Sequence, residues 1–74
     1  MEANLTTDEQ IRQLGVTLRD LRNAHGLTQQ QLADKIGYPR ATVAKVERGL
    51  LNASLKTLIP MFNALGASLT VTQR

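Results

Sequence analysis

A chain of 74 residues closes one hydrophobic core, since two independent cores need roughly 100 residues or more, and this excludes a two-domain enzyme. Hydrophobic residues are 42% of the chain and aromatics 3%, only Tyr38 and Phe62, so Leu, Ile, Val and Ala must fill the core and no aromatic platform exists for stacking unpaired bases. The formal charge of +3 is uneven: residues 1–20 hold Glu2, Asp8, Glu9 and Asp20 against Arg12 and Arg19, net −2, which leaves net +5 on residues 21–74 and points to a polyanionic partner.

Residues 1–6 read as a flexible tail. Thr6 or Thr7 then caps a first helix, because Asp8, Glu9 and Gln10 suit the positive helix end and offer a capping-box partner three residues on. Ile11, Leu14, Leu18 and Leu21 form its apolar stripe, with Arg12, Arg19 and Arg22 outside it, and His25-Gly26 ends it in ordinary C-cap chemistry. Thr28 with Gln31 makes a second capping box and opens a short helix through Leu32, Ala33 and Ile36 that stops at Gly37. Pro39, favoured at a first helical position, starts a third helix that runs to about Arg48 and stops at Gly49. Ser54 caps a fourth helix with Leu55, Leu58, Ile59, Phe62 and Leu65 on one face, ending at Gly66, and Pro60 predicts a kink or split near Lys56 to Pro60. From Ala67 the period changes: Leu69 and Val71 alternate with Ser68, Thr70 and Thr72, which predicts one short strand without a second strand to pair with.

The segment from Leu27 to Gly49 resembles the helix-turn-helix of the phage-repressor-like, Xre-type family. Gln29 opens the first helix of the pair, Ala33 stands where two helices approach, Gly37 makes the turn, Val43 and Val46 lie inside the second helix, and Glu47-Arg48-Gly49 closes it. Only a small side chain at Ala33 allows close crossing, and the two valines pin the second helix so that its other face is free to enter a groove. The resemblance covers about residues 10–66 and implies a mainly α fold of four or five helices, with a DNA-binding domain over residues 7–66. It implies base contacts from Arg40, Ala41 and Lys45, where Arg or Lys meets guanine O6 and N7 and an Ala methyl meets a thymine methyl. Backbone contacts are expected from Gln29, Thr28, Tyr38, Arg48 and Asn52, and Arg22 and Glu47 match an ion pair joining the first helix to the end of the recognition helix. Where the family carries basic or polar residues, Leu50-Leu51 departs from the pattern and suits a dimer or partner contact.

The tail selects a subfamily. An unpaired strand over residues 67–74 exposes backbone donors and acceptors, so Leu69, Thr70, Val71 and Thr72 are expected to pair with the same strand of a second copy in a homodimer. That arrangement is similar to HipB-type antitoxins, and the resemblance implies a repressor of its own operon that binds a palindromic operator in double-stranded DNA and a HipA-like kinase toxin. The alternative is a phage or chromosomal repressor of the same family with no toxin partner. No Ser, His and carboxylate set, Gly-rich phosphate loop or metal-ligand cluster is present, so neither enzyme activity nor a cofactor or metal is expected. Cysteine is absent, residues 1–10 are polar and acidic, and no run of 18 apolar residues occurs, which makes the expectation a cytoplasmic, nucleoid-associated protein with no membrane partner.

Overall fold

The computed structural model describes residues 6–50 and 53–70, and these contain four helices: α1 (Thr7–Ala24), α2 (Gln29–Ile36), α3 (Arg40–Glu47) and α4 (Leu55–Asn63). Two begin with complete capping boxes. At α1 the Thr6 hydroxyl accepts from the Glu9 N–H at 3.1 Å while the Glu9 carboxylate accepts from the Thr6 N–H at 2.9 Å. At α2 Thr28 and Gln31 exchange the same two bonds at 3.0 and 2.8 Å. Pro39 stands one position outside α3 rather than inside it, with extended backbone (ψ 145°), and its carbonyl accepts from Thr42. Each helix closes on a bond from the residue after a glycine back to a carbonyl five residues earlier: Leu27 to Arg22, Tyr38 to Ala33, Leu50 to Lys45 and Ala67 to Phe62. At Gly37 this closure needs φ 74°, the left-handed backbone that glycine adopts without a Cβ penalty, and it reverses the chain between α2 and α3.

α3 packs against both α1 and α2, and α2 against α4, around Leu18, Leu32, Ala33, Val43, Val46, Met61, Phe62 and Leu65. On α1 the inward line differs from the hydropathy stripe. Leu14 is exposed, Gly15, Leu18 and Arg22 are buried, and Ile11 and Leu21 are half-buried. Residues 11, 15, 18 and 22 form as good a helical row as 11, 14, 18 and 21, and α3 selects the row that lets it approach. A Cβ on Gly15 would stand 2.3 Å from the Val46 carbonyl oxygen and 2.8 Å from that of Glu47, so α1 rests directly on the last turn of α3.

α4 departs from expectation twice. It runs through Pro60 without a break. Proline removes only the bond to the Lys56 carbonyl in the first helical turn, and that oxygen accepts from the Tyr38 hydroxyl at 3.5 Å. Its buried face carries Met61 and Phe62 with Leu58 half-buried, and Leu65 is buried just past its end, while Leu55 and Ile59 are 66% and 41% exposed. Because α4 is apolar around most of its circumference, periodicity could not single out the face that meets the core.

The expected C-terminal strand is absent among the described residues. Residues 67–70 have no regular structure, although Ala67 and Leu69 lie over the core while Ser68 and Thr70 face outwards. The alternation therefore remains without a ladder, because the described chain has no second strand to supply ladder bonds. Val71 and Thr72 lie outside the described residues, as do residues 1–5 of the expected 1–6 tail and the Leu51 and Asn52 positions.

Candidate nucleic-acid interface

α3 is divided lengthwise by what α1 and α2 do to it. Val43 and Val46 are buried in the core and Glu47 is 7% exposed. Arg40, Ala41, Lys45 and Arg48 are exposed on the helix and at its C-terminal cap, and Thr42 and Ala44 are half-buried between the two faces. Three of the four exposed residues are cations.

Glu47 is the hub behind this face. Arg22 Nε donates to Glu47 Oε2 at 2.6 Å and Arg22 Nη2 donates to Oε1 at 2.9 Å, a two-pronged ion pair, while Nη1 reaches the Leu27 carbonyl at 2.7 Å. The Glu47 carboxylate hydrogen-bonded to it raises the Arg22 guanidinium above the ordinary arginine value, against the opposing effect of burial. Arg22 therefore lies on the buried line of α1 and not beside it, because every edge of its head finds an acceptor. Glu47 Oε1 also accepts from Gln29 Nε2 at 3.1 Å, and Gln29 Oε1 in turn accepts from Arg40 Nη1 at 3.1 Å. The first residues of α2 and α3 are thereby joined to the end of α3 and to α1.

Thr28 is exposed beside Gln29, its oxygen occupied by the α2 cap. Tyr38 is half-buried against the core, with its hydroxyl turned towards the Lys56 carbonyl of α4. Leu50 is 64% exposed just past α3. Leu69 is partly buried on the core and Thr70 is exposed. Sequence reasoning missed two features. Gly15, a glycine inside a long amphipathic helix, signals close approach of another backbone, and Gln29 and Arg40 each open a helix yet meet through their side chains.

Comparison with known proteins agrees with this geometry. A family model described as helix-turn-helix matches residues 18–71. The restriction-modification controller protein C.AhdI from Aeromonas hydrophila superposes with a TM-score of 0.75 at 39% identity, over 80% of this chain and 89% of that one. The antitoxin HipB of Escherichia coli O6:H1 strain CFT073 is 36% identical over 59 residues, which are 80% of this chain and 63% of that protein. A chain of the HipA–HipB–O2–O3 complex superposes with a TM-score of 0.76 at 28% identity, over 97% of both chains. This chain thus spans somewhat less than two thirds of the length of that curated HipB. It belongs to the Xre-like helix-turn-helix family of DNA-binding transcriptional regulators. No helix among the described residues is long and apolar enough to cross a membrane.

Proposed function

We propose that this member of the helix-turn-helix family is an operator-specific repressor that lays α3 in the major groove of double-stranded DNA, two copies reading an inverted repeat. The observation that carries the reading is the two-faced α3, with Val43, Val46 and Glu47 held in the core and Arg40, Ala41, Lys45 and Arg48 presented outwards. Arg40 and Lys45 supply the donors that guanine O6 and N7 accept, and Ala41 supplies a methyl for thymine. Arg48, Thr28, Gln29, Tyr38 and Asn52 are assigned to the phosphates that set register. Leu50 just past α3, and Leu55 and Ile59 on α4, all exposed, are assigned to the contact between copies, since Leu69 is engaged by its own core.

Within that reading the chain is the antitoxin of a HipBA-like toxin–antitoxin module and has a HipA-like kinase as its protein partner. Likeness to HipB over nearly the whole solved chain supports this. The second reading, a regulator of the same family without a toxin partner, is supported by the higher identity to C.AhdI.

Duplexes selected from a randomised library by the full chain, followed by footprinting, test the function. The expected result is protection of an inverted repeat with half-sites about one helical turn, or a multiple of it, apart. Arg40→Ala should cost about 1–3 kcal/mol on the selected duplex and little on random DNA. An equal loss on both would make Arg40 a phosphate contact, and failure to enrich any sequence would refute operator recognition. Co-elution with a purified HipA-like kinase encoded beside the chain separates the antitoxin reading from the second one.

A further inference from the structure

α1 meets the end of α3 a second time at Gly49. A Cβ on Gly49 would stand 2.6 Å from Arg12 Cγ and 3.1 Å from Arg12 Cα, so the stem of Arg12 lies across the space that a side chain at 49 would fill. Residues 41, 45 and 49 are one helical turn apart and share one line of the helix. Arg48 keeps helical backbone at the cap and the Gly49 N–H still donates to the Val46 carbonyl at 3.0 Å, so the line runs on to Gly49. Ala41 and Lys45 are exposed on it, and its next position has no side chain of its own.

We propose that Arg12 fills that position from α1 and holds a DNA backbone phosphate there, carrying the cationic face of α3 past its last turn. The contact rests on the operator-binding function proposed above. An arginine stem lies on apolar backbone while its head stays in water, and Arg12 is exposed in just this way over Gly49. Among the described residues the ion pairs of α1 are Arg19 with Asp20 at 3.5 Å and Arg22 with Glu47 at 2.6 Å, and Arg12 enters neither. Glu9, one turn earlier, gives its carboxylate to the Thr6 N–H at 2.9 Å, so its charge stands near Arg12 without closing an ion pair. Between Arg48 and Lys56 the chain has no cation of its own, and the exposed side chain that follows Gly49 is Leu50. A phosphate passing the end of α3 therefore finds its counter-charge on α1. Such a contact neutralises one phosphate and releases its counterion, and it carries no sequence information.

Arg12→Gln tests the contact, because it keeps a stem over Gly49 and removes only the charge. The full chain and the variant are titrated at about 50 to 200 mM salt with two probes, the duplex selected by the native chain from a randomised library and a random-sequence duplex. Each lost phosphate contact lowers the slope of log affinity against log salt by about 0.9, so two copies lose about 1.8. Over that range added salt should then cost the native chain about 12-fold more affinity than the variant, on both duplexes alike. Arg19→Gln, which removes a cation already set against Asp20, should leave the slope as it is. An unchanged slope in Arg12→Gln, or an equal change in Arg19→Gln, would overturn the contact. So would a loss confined to the selected duplex, the mark of base readout. Ethylation interference gives its place: the phosphate that ceases to matter in Arg12→Gln should neighbour the one that ceases to matter in Arg48→Gln, and a distant one would equally refute the geometry. If no sequence is selected, operator recognition fails while the slope on the random duplex still judges Arg12.

Discussion

Gly15→Ala opposes two effects whose sizes are known separately. In an open helix, alanine in place of glycine stabilises by about 1 kcal/mol. Here the added Cβ would sit 2.3 Å from the Val46 oxygen and 2.8 Å from the Glu47 oxygen, both backbone atoms, so no side chain can rotate out of the way. To restore even a 3.0 Å contact, α1 must retreat from α3 by at least about 0.7 Å, a gap that forfeits about a quarter to a half of the dispersion energy of the atoms it separates. Leu18 and Arg22 follow Gly15 on the same face, so the retreat loosens the core and stretches the pair to Glu47 together. Overpacking of this kind costs about 1–3 kcal/mol, and contact with rigid backbone places Gly15→Ala at or beyond the upper end. The expected net loss is about 2 kcal/mol, a fall in Tm of about 8–16 °C for a domain of this size. Urea titration gives it as a lower midpoint at constant slope. Gly26→Ala is the control: nothing lies within 4 Å of its added Cβ, so only the strained φ of +68° remains, costing about 1–2 kcal/mol without any effect on α1 packing. A Gly15→Ala chain more stable than the native one by about 1 kcal/mol would show that α1 does not rest on α3 as described.

Arg22→Ala leaves Glu47 buried without its cation and should destabilise by about 3–5 kcal/mol, whereas Arg22→Met combined with Glu47→Leu should fold with nearly native stability. Equal losses in the single and double variants, measured by urea titration, would show that the pair acts through packing and not charge. At the other end of α1, the Thr6 backbone N–H lowers the Glu9 carboxyl below its ordinary value, with the Thr6 hydroxyl contact and Arg12 adding to the effect. Folding therefore favours the ionised form, so its contribution is complete above the ordinary glutamate range and is lost as pH falls through the lowered folded value. The difference in urea midpoint between the native chain and Glu9→Ala should accordingly be present at pH 7 and shrink in acid; a difference constant down to about pH 2 would remove ionisation from the cap.

The sequence by itself determined the order of the helices and, to within a turn, where each begins and ends. Thr6 with Glu9, Thr28 with Gln31 and the glycines after each helix act over five residues or fewer, so their chemistry is complete in the local order of the chain. The division of α3 was legible as well, because Val43 and Val46 have no other use than the core and Arg40 and Lys45 resist burial. What faces what was decided only in three dimensions. Two rows on α1 have equal helical spacing, and α3 chose the one with Gly15 because only there can the backbones approach. Helical spacing alone set Arg22 outside the apolar stripe of α1, and only the family resemblance paired it with Glu47, far along the chain, whose carboxylate oxygens accept from it. The alternating tail carried the pattern of a strand, yet a ladder belongs to two segments, and among the described residues only one has that pattern. Pro60 carried the signature of a break, yet the helix continues through it, and the Lys56 carbonyl left without a helical donor lies 3.5 Å from the Tyr38 hydroxyl of the turn between α2 and α3. Local chemistry places the ends of each element; its face and its partners depend on contacts that no single segment encodes.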